Sequence, residues 1–257
     1  MAVRSEEWTT VFHRRPGGPY RLVFFPHAGG SAGAAAPLAA AAPPSVEVVT
    51  MQYPGRQWRR AEPAAADLRE LARSAARALL STPETPTVLF GHSMGAIVAF
   101  ETTLLLDEVR PGLVSRLFAS GSGAPTRPRR MTLTPEAGDD DLVEELRRMG
   151  GTDEALLADP EALMLMLPPL RHDYRLMTAY SVRPGARVIA PITALFGEDD
   201  EATPPDAAAA WAGHTDGDFE LRTFPGGHFY LGRRRREVID SILRHFPASE
   251  ASWRTAI

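Results

Sequence analysis

The pentapeptide Gly91-His92-Ser93-Met94-Gly95 constrains this chain more than any other feature. It follows the apolar run Thr87-Val88-Leu89-Phe90 and precedes the helical pattern Ala96-Ile97-Val98-Ala99-Phe100-Glu101. A G-x-S-x-G between a buried-type strand and a helix is a sharp elbow that holds the serine hydroxyl above a sheet edge. The turn strains the serine backbone, and a side chain at 91 or 95 would strike the neighbouring helix or strand. Ser93 is therefore a candidate nucleophile.

Composition narrows the alternatives. With 257 residues, 44% of them hydrophobic, the chain has material for one large α/β domain or two small ones. It has no cysteine, which removes disulfides, thiolate zinc sites and cysteine nucleophiles together. A net charge of −4 gives no sign of nucleic acid or a membrane surface as partner. The polar start Met1-Ala2-Val3-Arg4-Ser5-Glu6-Glu7 lacks a secretory apolar core, and no stretch is apolar for long enough to span a bilayer. A cytoplasmic protein is expected, with no metal and no cofactor of its own.

Short apolar runs alternate with helical stretches. Strands are expected at 21–25, 46–51, 87–90, 116–119, 192–196 and 219–224; most are near-continuous apolar runs, as strands covered on both faces are. A helix over 67–80 has Leu68, Leu71, Ala72, Ala75 and Leu79 at helical spacing, with Asp67 and Glu70 resembling a capping box. The elbow helix should run from about 95 to 108, and the Ala-rich 34–42 should form a helix with Pro37 near its first turn. This alternation predicts a mostly parallel, doubly wound sheet in a single domain spanning 1–257. The tail 247–257 should be poorly ordered.

The stretch 125–184 breaks the rhythm. It shows helical pieces at 140–149, at 160–167 ending on Pro168-Pro169, and then a third piece with Leu170, Tyr174, Met177 and Tyr180 on one face. An insertion between two strands of one sheet reads as a lid over the carboxyl edge, where open α/β sheets bind ligands; a helical subdomain that only adds stability is the alternative. Met164-Leu165-Met166-Leu167 reads as core packing, or as the lining of an acyl channel.

A serine hydroxyl needs a base, and the base needs an acid to orient it. On such folds the chain order is Ser, then Asp or Glu, then His. His214 precedes the last strand and His245 lies in a helix leading away, whereas His228 follows that strand through Pro225-Gly226-Gly227; His228 is the expected base. The acid belongs to Gly197-Glu198-Asp199-Asp200-Glu201, where Asp200 best fits the spacing and Asp199 is the alternative. The oxyanion hole needs two backbone N–H groups, expected from Met94 and from Ala28 in the loop Pro26-His27-Ala28-Gly29-Gly30. His27 and His92 read as packing residues. Neither a dinucleotide fingerprint nor a Walker lysine accompanies Gly29-Gly30.

Several elements, in order, resemble the stand-alone type II thioesterases of polyketide synthase and nonribosomal peptide synthetase systems, members of the α/β-hydrolase fold with a helical lid insertion. They are Phe25-Pro26-His27-Ala28-Gly29-Gly30, Tyr53-Pro54-Gly55-Arg56, the elbow, Leu167-Pro168-Pro169-Leu170-Arg171-His172-Asp173-Tyr174 and Gly226-Gly227-His228-Phe229. His172 departs from the resemblance, standing where a small residue is expected, with a consequence expected at the lid's inner wall. The resemblance implies hydrolysis of acyl thioesters on the phosphopantetheine arm of acyl or peptidyl carrier proteins, clearing stalled acyl groups. It implies no cofactor beyond the substrate's phosphopantetheine, and a monomer is expected. Met1 and the lack of an upstream carrier-like segment favour a stand-alone enzyme over a chain-releasing thioesterase cut from a synthase. A general carboxylesterase and an inactive binding module are the remaining readings. Tyr53-Pro54-Gly55-Arg56 reads as a turn with a solvated arginine or as part of the site entrance. Arg233-Arg234-Arg235-Arg236 reads as a solvated helix start, or as a contact for an acidic carrier protein.

Overall fold

The computed structural model describes residues 8–13, 19–127 and 137–246. Its strands are β1 (Thr9–His13), β2 (Tyr20–Phe25), β3 (Val46–Met51), β4 (Thr87–His92), β5 (Val114–Ser120), β6 (Ile192–Gly197) and β7 (Phe219–Phe224). They form one sheet in the order β1-β3-β2-β4-β5-β6-β7. All neighbours run parallel except β1, which pairs antiparallel with β3. This is the mostly parallel, doubly wound sheet expected.

Alternate residues of the central strands face opposite layers. Leu22, Phe24, Val88 and Phe90 pack toward α1 (Ala36–Ala41) and the later helices α8 (Tyr230–Arg233) and α9 (Arg235–Leu243). Val23, Phe25 and Leu89 pack toward α2 (Leu68–Leu80) and α3 (Met94–Val109). The start of α2 follows from its cap: Asp67 accepts the Glu70 N–H at 2.6 Å, while Glu70 reaches back to the Ala66 N–H, one residue short of a closed box.

Between β5 and β6 the described residues hold no strand. They form α4 (Asp139–Met149), α5 (Glu154–Leu157) and α6 (Pro160–Ala179). Helix α7 (Pro205–Ala209) follows β6. The expected lid bounds 125–184 enclose α4 to α6; residues 128–136, and the tail 247–257, lie outside the described residues.

Two expectations about this insertion need correction. Pro168 and Pro169 do not end a helix: α6 runs through both. A helix survives proline where water can take the orphaned carbonyls, and those four residues back belong to Met164 and Leu165, which are 70% and 67% exposed. That exposure removes both readings for Met164 and Leu165, while the core-packing reading holds for Leu167, a buried member of the lid cluster. Neither Met164 nor Leu165 is core or cavity wall; within the run only Leu167 is buried.

Candidate active site

Strand order reverses between β2 and β4, because the chain leaves β2 toward β3 on one side and returns to β4 on the other. Ligands of open parallel sheets bind at such a switch point, beyond the carboxyl ends. Here the loop after β2 carries Ala28 and the turn after β4 carries Ser93. Asp200 and His228 follow β6 and β7 at the same edge.

Ser93 has φ 55° and ψ −119°, a left-handed conformation that a non-glycine residue adopts only when the surroundings impose it. Those surroundings are explicit. A Cβ at Gly91 would collide with the Gly95 carbonyl, and one at Gly95 with the carbonyl of Phe25 at the end of β2. The Ser93 N–H bonds the Ser120 carbonyl at 2.7 Å, tying the elbow to β5. Among the described residues the Ser93 hydroxyl has no hydrogen-bond partner. Ser93 and His228 are walls of one cavity.

His228 is buried, with Nδ1 2.9 Å from Asp200 Oδ2. An ionised carboxylate only accepts, so Nδ1 carries the hydrogen, and in the neutral ring it is Nε2 that has the free lone pair. Burial pushes the Asp200 carboxyl up, but the bond and charge of His228 and the Ala202 N–H outweigh it and hold the group below its usual range. Asp200 accepts that N–H through Oδ1 at 3.0 Å. Asp199 is exposed, as are Glu198 and Glu201.

Two backbone donors are open beside Ser93. Met94 begins α3, where N–H groups have no intrahelical partner. In the loop after β2, Gly29 donates to Asp173 and Gly30 to the His27 carbonyl, leaving the Ala28 N–H unengaged among the described residues. Ala28 lines the cavity. Leu146, Met149, Leu170, Tyr174 and Met177 of the insertion line the same cavity as Ser93.

The other histidines have separate places. His92 is buried beneath His228, ring centroids 5.1 Å apart, with Nδ1 3.0 Å from Ser120 Oγ. Burial, with His228 and His27 nearby, lowers its pKa well below that of a free imidazole. His27 is pushed down to about 4 by burial, then by His228 and Arg56. His214 binds Thr126 Oγ1 and the Ala186 carbonyl, and His245 pairs with Glu220 at the start of β7, the far end of that strand. His172 bonds the Ala65 carbonyl at 2.8 Å, so it braces α6 against the loop before α2 and does not form the lid's inner wall. In the arginine run, Arg234 pairs with Glu237 and Arg235 bonds the Gly232 carbonyl, outside the cavity.

Arg56 overturns the solvated-turn reading. It is buried, and its guanidinium clasps Asp173 on α6 with two bonds of 2.7 and 2.9 Å. The sequence offered Arg56 as part of a site entrance and Asp173 only within a motif; no spacing signal links residues so far apart, so their pairing was not foreseen. Among the described residues no group of three or more His, Asp or Glu side chains has the arrangement of a metal site, and no helix is long and apolar enough to cross a membrane.

Residues 20–249 match the thioesterase domain family. A protein named a probable cadicidin biosynthesis thioesterase, from Streptomyces griseus, is 44% identical over 227 residues, covering 88% of this chain and 62% of that protein. Thioesterase PikA5 of Streptomyces venezuelae is 42% identical over 252 residues, 95% of this chain and 87% of that protein. The chain thus spans less than two thirds of the first relative and most of the second. The solved structure of the type II thioesterase BorB, from the borrelidin biosynthetic cluster, matches with a TM-score of 0.86 at 40% identity, over 93% of this chain and 98% of that one. With the match running from β2 through α9 at such identity, this chain belongs to the thioesterase domain family.

Proposed function

We propose that this chain hydrolyses acyl thioesters carried on the phosphopantetheine arm of an acyl or peptidyl carrier protein, freeing carriers of polyketide or nonribosomal peptide assembly lines. One observation carries the reading: a serine on a strained elbow shares a lidded cavity with an imidazole that a buried carboxylate orients. The names of the relatives supply the thioester and the assembly-line setting.

In this reading Ser93 Oγ attacks the thioester carbonyl while His228 Nε2 accepts the hydroxyl proton. Asp200 holds the imidazole in the required tautomer and stabilises the imidazolium. The N–H groups of Ala28 and Met94 bind the oxygen of the tetrahedral intermediate, where charge develops. Collapse breaks the C–S bond; the phosphopantetheine thiol leaves with the proton from His228, and Ser93 keeps the acyl group. Water, deprotonated by His228, attacks the ester, and the same groups release the carboxylic acid and restore the serine. No cofactor is required, since the phosphopantetheine arrives with the substrate.

The test is the mass of a carrier protein loaded with acetyl, butyryl or octanoyl phosphopantetheine, before and after exposure to the enzyme. We expect return to the free-thiol mass, with Ser93→Ala and His228→Ala each slowed by at least about 10³-fold. Matching oxygen esters cleaved as fast as the thioesters would identify a general carboxylesterase instead. Either variant retaining most of the activity would remove the triad assignment.

A further inference from the structure

The buried pair Arg56–Asp173 does more than join the lid to the body. Asp173 is fully buried on α6, and Arg56, 6% exposed, comes from the turn after β3. Besides clasping each other, both reach the loop after β2. Asp173 Oδ2 accepts the Gly29 N–H at 2.8 Å, and Arg56 Nη1 donates to the Gly30 carbonyl at 3.0 Å. The two residues after Ala28 are thereby held by side chains from two other elements.

That hold is transmitted to Ala28 by covalent geometry. The Gly30 N–H bonds the His27 carbonyl at 2.9 Å. The His27 carbonyl and the Ala28 N–H belong to one trans peptide plane, so they point in opposite directions. Fixing the carbonyl toward Gly30 therefore fixes the Ala28 N–H away from it. Gly29 has φ +72° and lies close against α6, where an added Cβ would come within 3.1 Å of Leu170 Cβ.

A stability role alone does not account for a buried ion pair, because apolar residues of similar size often serve folding as well or better. The bidentate fork instead gives direction, which apolar residues cannot. We propose that Arg56 and Asp173 are positioning residues that aim the Ala28 N–H at the oxyanion, so that seating α6 and assembling the oxyanion hole are one event. The proposal rests on the reading of Ser93 as nucleophile and of Ala28 as oxyanion donor. It makes the lid part of the catalytic machinery: an enzyme with α6 lifted would keep its triad and lose one donor.

The test uses the full chain with Asp173→Asn, Arg56→Lys and the apolar double variant Arg56→Met with Asp173→Leu. Four quantities are measured on each: thermal unfolding, kcat and KM on a butyryl thioester, the affinity of butylboronic acid, and the rate of Ser93 labelling by a fluorophosphonate. Butylboronic acid forms a tetrahedral adduct with the serine, so its affinity reports the hole directly. We expect the double variant to fold, with kcat lowered about 10²-fold, the loss that follows removal of one oxyanion donor. KM should stay within about threefold, the pH profile of kcat should keep its shape, and boronate affinity and labelling rate should fall with kcat. Arg56→Lys, which keeps the charge but not the fork, should lose kcat in the same direction.

Folded variants whose kcat, boronate affinity and labelling rate all stay within about threefold of the parent would overturn the proposal, as would a loss confined to KM. Should Asp173→Asn fail to fold, Arg56→Lys and the double variant decide by the same criteria. If the parent enzyme labels at Ser93 yet cleaves no thioester, the functional reading falls; the labelling and boronate measurements then test the positioning role by themselves.

Discussion

The sheet and the insertion above it are held together by different physics. In the sheet and its flanking helices, side chain after side chain is inaccessible to water: Leu22, Val23, Phe25, Val88, Leu89, Phe90, Ile97 and Phe100 all belong to two continuous apolar layers. The insertion has a small apolar cluster of its own, in which Leu142, Leu167 and Leu170 are the buried members. Helix α6 belongs to both regions. Its last turns send Leu176 into the main core, while in its first half Leu163 and Leu167 pack in the lid cluster and Met164 and Leu165 face solvent. Across the seam the other contacts include polar links, among them Asp173 with Arg56 and the Gly29 N–H, Arg148 with Glu201, His172 with the Ala65 carbonyl and Tyr180 with Glu101, and the packing of Ala28 against the lid cluster. A large apolar core unfolds as one unit, whereas a region joined by a handful of bonds opens on its own at lower cost. Ser93 and His228 thus stand on the rigid part, and the cavity wall formed by the insertion stands on the part able to move.

The largest effect expected from this contrast is in the core. Phe100 is fully buried on α3 and packs edge-on against Trp211 and His214. Phe100→Ala should cost about 3–5 kcal/mol of global stability, visible as a lowered denaturant midpoint for all probes together. Leu142→Ala, equally buried but in the lid cluster, should speed hydrogen exchange in α4 and the first half of α6 while exchange in β4 and β5 stays unchanged. Equal acceleration across the sheet in both variants would show that lid and body form one cooperative unit.

The same contrast explains what could be read from residues alone. Each of the six expected strands exists; β2 to β6 are central and largely apolar runs, whereas β7 is an edge strand whose Phe219, Leu221 and Phe224 mark it among polar neighbours. The strand that escaped notice, β1, is an antiparallel edge strand whose described side chains are only half-buried, so Thr9-Thr10-Val11-Phe12 carries no such run. The elbow was legible because its glycines answer to contacts within a few residues and to a neighbouring strand end. In the acidic turn, spacing ranks Asp200 above Asp199 only weakly; it is burial beside His228 that separates them. The lid was least legible. A proline inside a helix is read as a stop unless the reader knows that the residues four back are exposed to water. Arg56 looks like any surface arginine after Pro-Gly, since its partner lies 117 residues away.

A smaller effect concerns protons under the imidazole. In the folded protein His92 resists protonation because it is buried and close to two other histidines, whereas in the unfolded chain it titrates near 6.5. Below that pH the unfolded state binds a proton that the folded state does not. The stability contributed by a neutral His92 is therefore fully present above about pH 6.5 and declines as pH falls, by up to about 1.4 kcal/mol per pH unit for one proton. His27 adds to the slope in the same direction until pH approaches 4. Urea unfolding at pH 7.5, 6.5, 5.5 and 4.5 checks this. His92→Asn should flatten the curve by about one proton, and an unchanged slope would mean that the folded body admits the charge after all.

The smallest effect distinguishes two of the ion pairs that cross the seam, Arg56–Asp173 and Arg148–Glu201. Arg148 on α4 approaches Glu201 at 3.3 Å, but Glu201 lies almost wholly in solvent, while Arg148 is also bonded to Glu145 on its own helix. An exposed pair of this kind gains little over its hydrated ions and is screened by salt. Glu201→Gln should change stability by less than about 1 kcal/mol at low ionic strength, and the difference should vanish in 1 M sodium chloride. Breaking a buried pair behaves otherwise, because one charge is stranded away from water, at a cost of about 3–5 kcal/mol that added salt does not relieve. Asp173→Asn measured beside Glu201→Gln across a salt series therefore ranks the two links. If both losses proved small and equally salt-sensitive, the seam would be held by apolar contact alone, and α6 would owe its seat to Leu170 and Leu176.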